Sequence, residues 1–273
     1  MTDVLGPRHA EVQRLRALLR DRRTRSAERA FVLEGPRVVD GALDRGARLD
    51  AIYLGSGAMR AFAPLVQRAV ATGARVAELK EGVLEKLGTT RTPQPVLAVA
   101  SITPRSLDDL ATRGTLLVTV DLGDPGNLGT IIRSAEAAGT AGVVACGNSV
   151  DLYNPKVVRS SAGAMFGTAT FGTVVVEQGD PMATLEELGR RGWRRLGASA
   201  DGGEPYDEVD LVDACALVVG NEARGLGPEL DDCLDGSVTI PLNPPAESLN
   251  VAMAATVVCF EAARQRRAAG VAP

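Results

Sequence analysis

The feature of this sequence that most constrains its fold is an alternation of short apolar runs with helical segments. The run "TLLVTVDL" at 115–122 is almost continuously apolar, as expected for a strand covered on both faces of a sheet. The helical segment "DPGNLGTIIRSAEAAG" (124–139) and the apolar run "AGVVACG" (141–147) follow it. Strands separated by helical lengths predict an α/β fold with a mostly parallel, doubly wound sheet, ending in a long C-terminal helix that begins at Ser248.

The N-terminal part of the chain predicts a smaller α/β domain. Residues 11–22, "EVQRLRALLRDR", have the apolar spacing of one helix face. Residues 31–43, "FVLEGPRVVDGAL", predict a strand, a Gly-Pro turn and a helix. The stretch "TPRSLDDLATRG" (103–114) is interpreted as a linker and an entry helix. We therefore place a small domain at 1–104 and a larger one at 105–273.

The composition excludes several kinds of catalysis. His9 is the only histidine among the 273 residues, which argues against Ser-His-Asp and HExxH chemistry. The four cysteines are far apart and form no CxxC pair, so we expect buried thiols and no metal site. No apolar stretch is long enough to span a bilayer, and no segment resembles a secretion signal. We expect a cytoplasmic protein with no membrane partner.

Arginines are concentrated near the N-terminus although the net charge of the chain is −4. The segment 8–29 carries the arginines Arg8, Arg14, Arg16, Arg20, Arg22, Arg23, Arg25 and Arg29. Two interpretations stay open from the residues alone: a solvated helix face, or a patch that contacts the phosphates of a nucleic acid.

Three segments at predicted strand ends are candidates for a functional site, because open α/β sheets bind ligands at such ends. They are 124–133, "VVGNEARGLG" at 218–227, and "IPLNPPAESLNVAMAATVVCFEAARQR" at 240–266. None of them contains GxGxxG or GxxxxGK[ST], so the common dinucleotide and P-loop motifs do not apply.

Each candidate side chain also has a purely structural interpretation. Asn127 is a possible helix cap and Arg133 a possible surface residue. Glu222 favours the N-terminus of a following helix electrostatically. Ser248 is suited to cap the C-terminal helix, with Asn250 in the first turn and both of its amide functions available. The separate segments do not decide between structure and function.

Together, the segments resemble the three signature motifs of the SpoU-type RNA ribose 2′-O-methyltransferases, a family of the SPOUT (α/β-knot) class. The resemblance is carried by "DLGDPGNLGTIIRSAEAAG", "DLYNPKVVRSSAGAMFG", "VVGNEARGL" and the segment 240–266, in that order. In the first domain, "FVLEGPRVVDGAL" and "TTRTPQPVLAVAS" resemble the small substrate-binding domain of many members. The resemblance covers essentially the whole C-terminal domain.

This resemblance implies a deep C-terminal trefoil knot, a homodimer and S-adenosyl-methionine as methyl donor. Backbone groups of the knotted loops would hold the cofactor, and Gly220, Ile240 and Leu249 fall on cofactor-contacting positions of the family. The motif side chains are Asn127, Arg133, Glu222, Ser248 and Asn250. The proposed substrate is RNA, with rRNA, most of all 23S rRNA, favoured over tRNA because of the extra N-terminal domain.

The resemblance also suggests roles for the motif residues. A motif arginine is often assigned as general base in this family, but a guanidinium keeps its proton in nearly any environment, which favours an orienting role for Arg133. Asn127 would orient Arg133 or the ribose, and Glu222 and Asn250 would hold the geometry. Arg159 would contact a phosphate, with Arg22, Arg23 and Arg25 on an RNA-contacting N-terminal helix.

The sequence departs from the family pattern before "SLN", where a methionine and a glycine are common. Pro244 and Pro245 stand nearby and remove two backbone donors, which is expected to affect cofactor affinity. Pro95 is a smaller departure, confined to the first domain. Two alternatives remain: a noncatalytic RNA-binding or ribosome-assembly protein with the same fold, and, less favoured, a small-molecule enzyme using Arg133 and Glu222.

Overall fold

The computed structural model describes residues 3–89, 92–167 and 173–271. Thr90 and Arg91, part of the quoted stretch 89–101, lie outside the described residues. The strands are β1 Asp3–Leu5, β2 Ala30–Glu34, β3 Leu49–Leu54, β4 Arg75–Leu79, β5 Val96–Ser101, β6 Thr115–Val120, β7 Gly142–Cys146, β8 Val175–Glu177, β9 Arg194–Ser199, β10 Glu204–Pro205, β11 Cys215–Val219 and β12 Gly236–Thr239. The helices are α1 Ala10–Arg20, α2 Arg22–Glu28, α3 Pro36–Asp44, α4 Ala63–Ala71, α5 Val83–Leu87, α6 Pro125–Ala138, α7 Pro155–Ser160, α8 Pro181–Arg190 and α9 Val251–Ala268. In the three described ranges, no helix has the length and apolar character that a membrane span needs.

The chain divides into two compact units. Unit 1 consists of Met1–Pro104 with Tyr153–Phe166, and unit 2 consists of Arg105–Leu152 with Gly167–Pro273. The segment Tyr153–Phe166, which the sequence analysis assigned to the second domain, is therefore part of unit 1. Its aromatic side chains explain this, because the ring of Phe31 lies 4.8 Å from that of Tyr153 and 5.7 Å from that of Phe166.

Unit 1 is built on a mixed five-stranded sheet in the order β1-β4-β3-β5-β2. Strand β5 runs antiparallel to β2 and β3, and the other neighbours are parallel. Alternate residues of β2 enter two different cores, since successive side chains of a strand point to opposite faces. Val32 packs in the same core as Leu15 of α1, and Phe31 packs in the same core as Val39 of α3.

The arginine-rich N-terminal segment forms two helices instead of the single one predicted. Asp21 takes an extended conformation between α1 and α2, and its N–H donates to the carbonyl of Ala17. Its carboxylate accepts hydrogen bonds from the N–H groups of Arg23 (3.1 Å) and Thr24 (3.0 Å). Asp21 thus ends one helix and caps the next, a role that short acidic side chains favour.

Unit 2 contains a seven-stranded sheet in the order β10-β12-β9-β11-β6-β7-β8, with parallel pairing at every interface. The predicted parallel α/β architecture is confirmed, whereas the knot implied by the resemblance stays a prediction. Helix α9 contacts β6, β11 and α6, and it begins at Val251 instead of Ser248. Because all strands run the same way, the loops after β6, β11 and β12 leave the same edge of the sheet.

Candidate active site

The loop after β6 leads into helix α6 through a cap that the sequence analysis missed. Oδ1 of Asp124 accepts hydrogen bonds from the N–H groups of Gly126 (2.6 Å) and Asn127 (3.0 Å). Asp124 is therefore the N-cap, and the interpretation of Asn127 as the cap is wrong. The pattern of Asp before a Pro at the first helical position could have identified it. The side chain of Asn127 is left to make contacts outside its own helix.

The loop after β11 is held in shape by Asn221, a second residue that the sequence analysis did not single out. Asn221 and Gly225 exchange backbone hydrogen bonds of 3.0 and 2.8 Å. The Asn221 side chain accepts from the N–H groups of Ala223 and Arg224, and its Nδ2 donates to the carbonyl of Asp121 at 2.9 Å. One amide side chain thereby shapes its own loop and ties it to the loop after β6.

Gly220 directly follows β11, at a position where a side chain cannot fit. A Cβ at this position would lie 2.2 Å from the carbonyl carbon and oxygen of Gly225. The position therefore requires glycine because the two ends of the loop approach each other directly.

We expect Gly220→Ala to lower the free energy of unfolding by about 1–3 kcal/mol through overpacking against backbone, and to weaken cofactor binding. Thermal unfolding and calorimetric titration with S-adenosyl-methionine measure the two effects. Gly236→Ala in β12 is the matched control, because its Cβ would meet only the Leu196 side chain, at an ordinary 3.5 Å. Equal stability of the two variants would contradict the conclusion that position 220 requires glycine.

Glu222 lies at the centre of the contacts between these loops. Its carboxylate accepts hydrogen bonds from the N–H groups of Gly123 (3.1 Å) and Asp124 (2.9 Å) and from Nδ2 of Asn127 (2.9 Å). Desolvation by itself would raise the Glu222 pKa, but the hydrogen bond from Asn127 and those from backbone N–H groups together hold the pKa below its ordinary value. Glu222 is therefore ionised at neutral pH and acts as an acceptor, not as a proton donor.

Asn250 joins the third loop to the same group. It is the N-cap of α9, where its Oδ1 accepts from the N–H groups of Ala252 (2.9 Å) and Met253 (3.3 Å). Its Nδ2 donates to Oδ1 of Asn127 at 3.0 Å. The predicted assignment of the cap to Ser248 is wrong: Ser248 is exposed, and its hydroxyl makes no hydrogen bond with the described residues.

The result is a directed chain of hydrogen bonds from Asn250 through Asn127 to Glu222. We call these three side chains the amide–carboxylate chain. A carboxylate only accepts, so Glu222 sets the orientation of the Asn127 amide, which in turn sets that of the Asn250 amide. The chain connects three loops that are far apart in sequence and holds them at one edge of the sheet.

Arg133 stands apart from this chain. It lies in the third turn of α6 with an exposed side chain, and its guanidinium makes no hydrogen bond or ion pair within the described residues. One of the two predicted roles of Asn127 is to orient Arg133, which would need a hydrogen bond from the guanidinium to Oδ1 of Asn127. That bond is not formed in this structure. Asn127 instead uses its two amide functions on Glu222 and Asn250.

The residues assigned to the cofactor lie at the ends of β11 and β12 and before α9. Gly220 is buried, Ile240 is half-buried, and Leu249 has 42% of its surface exposed. Among residues 241–249, all within a described range, one backbone hydrogen bond is formed, from the N–H of Ala246 to the carbonyl of Asn243. The peptide bond Pro244-Pro245 in this loop is cis. Available backbone groups beside apolar side chains fit an adenosyl ligand held by the main chain.

The arginines assigned to RNA have different environments. Arg22 and Arg23 are exposed on α2. Arg25 is 4% exposed, and its Nη1 donates to the carbonyl of Leu18 at 2.7 Å, so its prediction as an RNA contact is wrong. The helix break at Asp21 turns this side chain inward. Arg159 lies in unit 1, where its Nη1 donates to Glu34 and Thr89.

No group of three or more His, Cys, Asp or Glu side chains within the described ranges is placed to hold a metal ion. The four cysteines are buried free thiols, and burial raises the pKa of Cys146 and of Cys259 to about 12. These thiols pack as apolar groups.

Two family models match the chain. The model of the SpoU rRNA Methylase family matches residues 114–260, and that of the MRM3-like substrate binding domain matches residues 10–98. The first match contains the whole amide–carboxylate chain, and the second contains most of the N-terminal part of unit 1.

Named relatives and a solved structure are similar along almost the whole chain. The 23S rRNA (guanosine(2553)-2'-O)-methyltransferase RlmP of Bacillus subtilis is 31% identical over 242 residues, 89% of this chain and 92% of the relative. The 23S rRNA (uridine(2479)-2'-O)-methyltransferase of Streptomyces viridochromogenes is 33% identical over 266 residues, 95% of this chain and 91% of the relative. The structure of the SpoU methyltransferase AviRb from Streptomyces viridochromogenes with the cofactor AdoMet superposes with a TM-score of 0.83 at 29% identity, covering 95% of this chain and 99% of that one. The similarity therefore includes both units.

Proposed function

Because this chain belongs to the SpoU rRNA methylase family, we propose that it transfers a methyl group from S-adenosyl-methionine to a ribose 2′-hydroxyl of 23S rRNA. The observation that carries the proposal is the amide–carboxylate chain, which holds the three motif loops at one edge of a parallel sheet. The names of the two relatives support the choice of 23S rRNA over tRNA.

The loops supply the binding surface for the methyl donor. Gly220, Ile240 and Leu249, together with backbone groups of 241–249, would hold the cofactor, whose sulfonium supplies an activated methyl group. The AdoMet-bound AviRb structure supports this assignment. The amide–carboxylate chain keeps the loops in register before a ligand arrives, which reduces the reorganisation needed for binding.

Arg133 is the residue best suited to act on the ribose hydroxyl. A 2′-hydroxyl is a weak nucleophile. Its oxygen bonds to the methyl carbon as the carbon–sulfur bond of the donor breaks, and negative charge develops on the oxygen as the hydroxyl proton passes to solvent. The guanidinium of Arg133, exposed on α6, stabilises that charge and contacts the adjacent phosphate. Glu222 acts as a positioning residue, since a carboxylate with a lowered pKa is a weak base and its oxygens already accept three hydrogen bonds.

The test is to map 2′-O-methylated nucleotides in rRNA and tRNA from cells with and without the gene. A single 23S rRNA site that depends on the gene supports the proposal, and a tRNA site would redirect it to tRNA. Calorimetric titration with S-adenosyl-methionine distinguishes a methyltransferase acting on either RNA from a noncatalytic RNA-binding protein. A methyltransferase binds the cofactor, whereas the noncatalytic protein would bind RNA and transfer no methyl group. The expected cytoplasmic location stays a prediction.

A homodimer is part of the proposal, and α9 supplies its support. Met253, Val257 and Phe260 are 49%, 36% and 45% exposed and follow each other at the spacing of one helix face. An exposed apolar face of this kind is typical of a contact between protein chains. We propose that a second copy of the chain covers it.

Phe260→Asp is expected to convert a dimer to a monomer, because it places a charge in the apolar contact. Light scattering coupled to gel filtration measures the mass directly. Val70→Asp, at a position that is 50% exposed on α4, is the control and should leave the mass unchanged. A wild-type protein with the mass of one chain would overturn the proposal of a dimer.

A further inference from the structure

We propose that Glu34, Thr89 and Arg159 of unit 1 form a phosphate-binding site for the RNA, in which Glu34 and Thr89 are positioning residues for Arg159. This inference rests on the proposed function, because it takes RNA to be the substrate. It assigns a role to a buried carboxylate that the candidate active site does not use.

Within the described part of the chain, the contacts of the Arg159 guanidinium are at one end. Its Nη1 donates to Oε2 of Glu34 at 3.2 Å and to Oγ1 of Thr89 at 2.9 Å. The Thr89 hydroxyl donates to the same Glu34 oxygen, so each of the three side chains is hydrogen-bonded to the other two. Two of the three contacts hold Nη1, and the third fixes its two acceptors relative to each other.

The other side of the guanidinium is available. Nε and Nη2 of Arg159 make no hydrogen bond or ion pair with any residue that the structure describes, and the side chain is 31% exposed. These atoms carry three of the five N–H donors of arginine and form an edge that fits two phosphate oxygens. The arrangement leaves that edge without a hydrogen-bond partner among the described residues while the opposite end is anchored.

Glu34 is unusual as the anchor because its side chain is only 1% exposed. A buried carboxylate needs a cation or several hydrogen-bond donors, so Glu34 restricts where the guanidinium can lie. An exposed arginine normally loses much rotamer freedom when it binds a phosphate. Anchoring at Nη1 removes part of that loss before the RNA arrives.

The direction in which Glu34→Gln changes the affinity for RNA distinguishes a positioning role of Glu34 from a purely electrostatic effect. Glu34 carries a negative charge close to the proposed phosphate, so electrostatics alone predicts that Glu34→Gln tightens RNA binding. Positioning predicts the opposite, because a neutral amide anchors the guanidinium less firmly. We expect about tenfold weaker binding, the size of one charge-assisted hydrogen bond.

The probe is 23S rRNA isolated from cells that lack the gene, bound to the full-length protein in filter assays at several KCl concentrations. Arg159→Met should remove one phosphate contact, lowering the slope of log K against log salt by about 1. Glu34→Gln should weaken binding with the slope nearly retained, since the arginine charge remains. Thr89→Val, at an exposed position, should weaken binding in the same direction and does not depend on replacing a buried charge.

Arg68→Met is the matched control in unit 1, because its Nη1 and Nη2 are already bound to Asp40 and Asp44. It should leave the salt slope unchanged. Thermal unfolding verifies that each variant is folded, and titration with S-adenosyl-methionine verifies that unit 2, to which the cofactor residues belong, is unaffected. Methyl incorporation by the wild-type protein tests the proposed function separately, so its failure is distinguishable from failure of this site.

Two outcomes would overturn the inference. One is RNA binding by Glu34→Gln or Thr89→Val that equals or exceeds that of the wild type. The other is an unchanged salt slope for Arg159→Met, or for Arg159→Gln where the methionine variant does not fold.

Discussion

Replacing Arg133 with alanine is expected to lower the rate of methyl transfer by roughly 10²–10³-fold, the effect of losing one preorganised group at a developing negative charge. The affinity for S-adenosyl-methionine should change little, because Arg133 makes no hydrogen bond or ion pair with any described residue of the loops that would hold the cofactor. The effect falls on the chemical step because charge on the ribose oxygen develops only in the transition state.

Single-turnover methylation of 23S rRNA, with cofactor affinity measured by calorimetry, separates the two quantities. Arg133→Lys should give an intermediate rate, since it keeps the charge and loses the planar pair of donors. Arg190→Ala, at an exposed position of α8, is the control and should keep the wild-type rate. Methylation by Arg133→Ala at the wild-type rate would exclude both an orienting role and a general-base role.

Asn127→Asp should lower activity by about 10²-fold or more at neutral pH, although the side chain hardly changes its shape. The substitution replaces the amide that donates to Glu222 at 2.9 Å by a second carboxylate. Two negative charges at about 4 Å repel by roughly 4 kcal/mol at an effective dielectric constant of 20. The loops after β6 and β11 should then separate, which disrupts the cofactor surface.

The pH dependence of this variant provides a second readout. In the wild type, hydrogen bonds lower the pKa of Glu222, so the carboxylate keeps its contacts down to pH values below its ordinary pKa and loses them only as the pH falls through the lowered value. In Asn127→Asp the two carboxyl groups share a site, so the first proton binds at a raised pH. Activity should therefore recover partly as the pH is lowered, because a protonated carboxyl can donate to its neighbour.

Asn127→Ala is the matched control for the repulsion. It removes the hydrogen bond to Glu222 without adding a charge, and it also removes the bond from Asn250, which an aspartate can still accept. The loss of the Asn250 bond does not depend on pH, so the pH dependence of the rate of Asn127→Asp relative to that of Asn127→Ala isolates the effect of the second carboxylate. The rate of Asn127→Asp divided by the rate of Asn127→Ala should rise as the pH falls. A ratio that does not change with pH would show that charge repulsion between the loops is not the cause of the loss.

Several site features could be predicted from sequence because they depend on residue type and order. The motif stretches identified Asn127, Glu222 and Asn250 as candidates, and the structure brings these three side chains together. Their individual roles could not be assigned in the same way. Asp124 and Asn250, not Asn127 and Ser248, cap α6 and α9, because several adjacent polar residues satisfy the same local preference for a cap.

The alternation of apolar runs and helical lengths by itself determined that unit 2 forms a parallel α/β sheet, since burial on both faces selects that pattern. Tertiary structure alone decided which side chains meet: Asn127 is 95 residues from Glu222 and 123 from Asn250. It also turned Arg25 inward and placed Tyr153–Phe166 in unit 1. Local preferences act over a few residues, whereas these contacts depend on how distant segments pack, which no single stretch of the chain encodes.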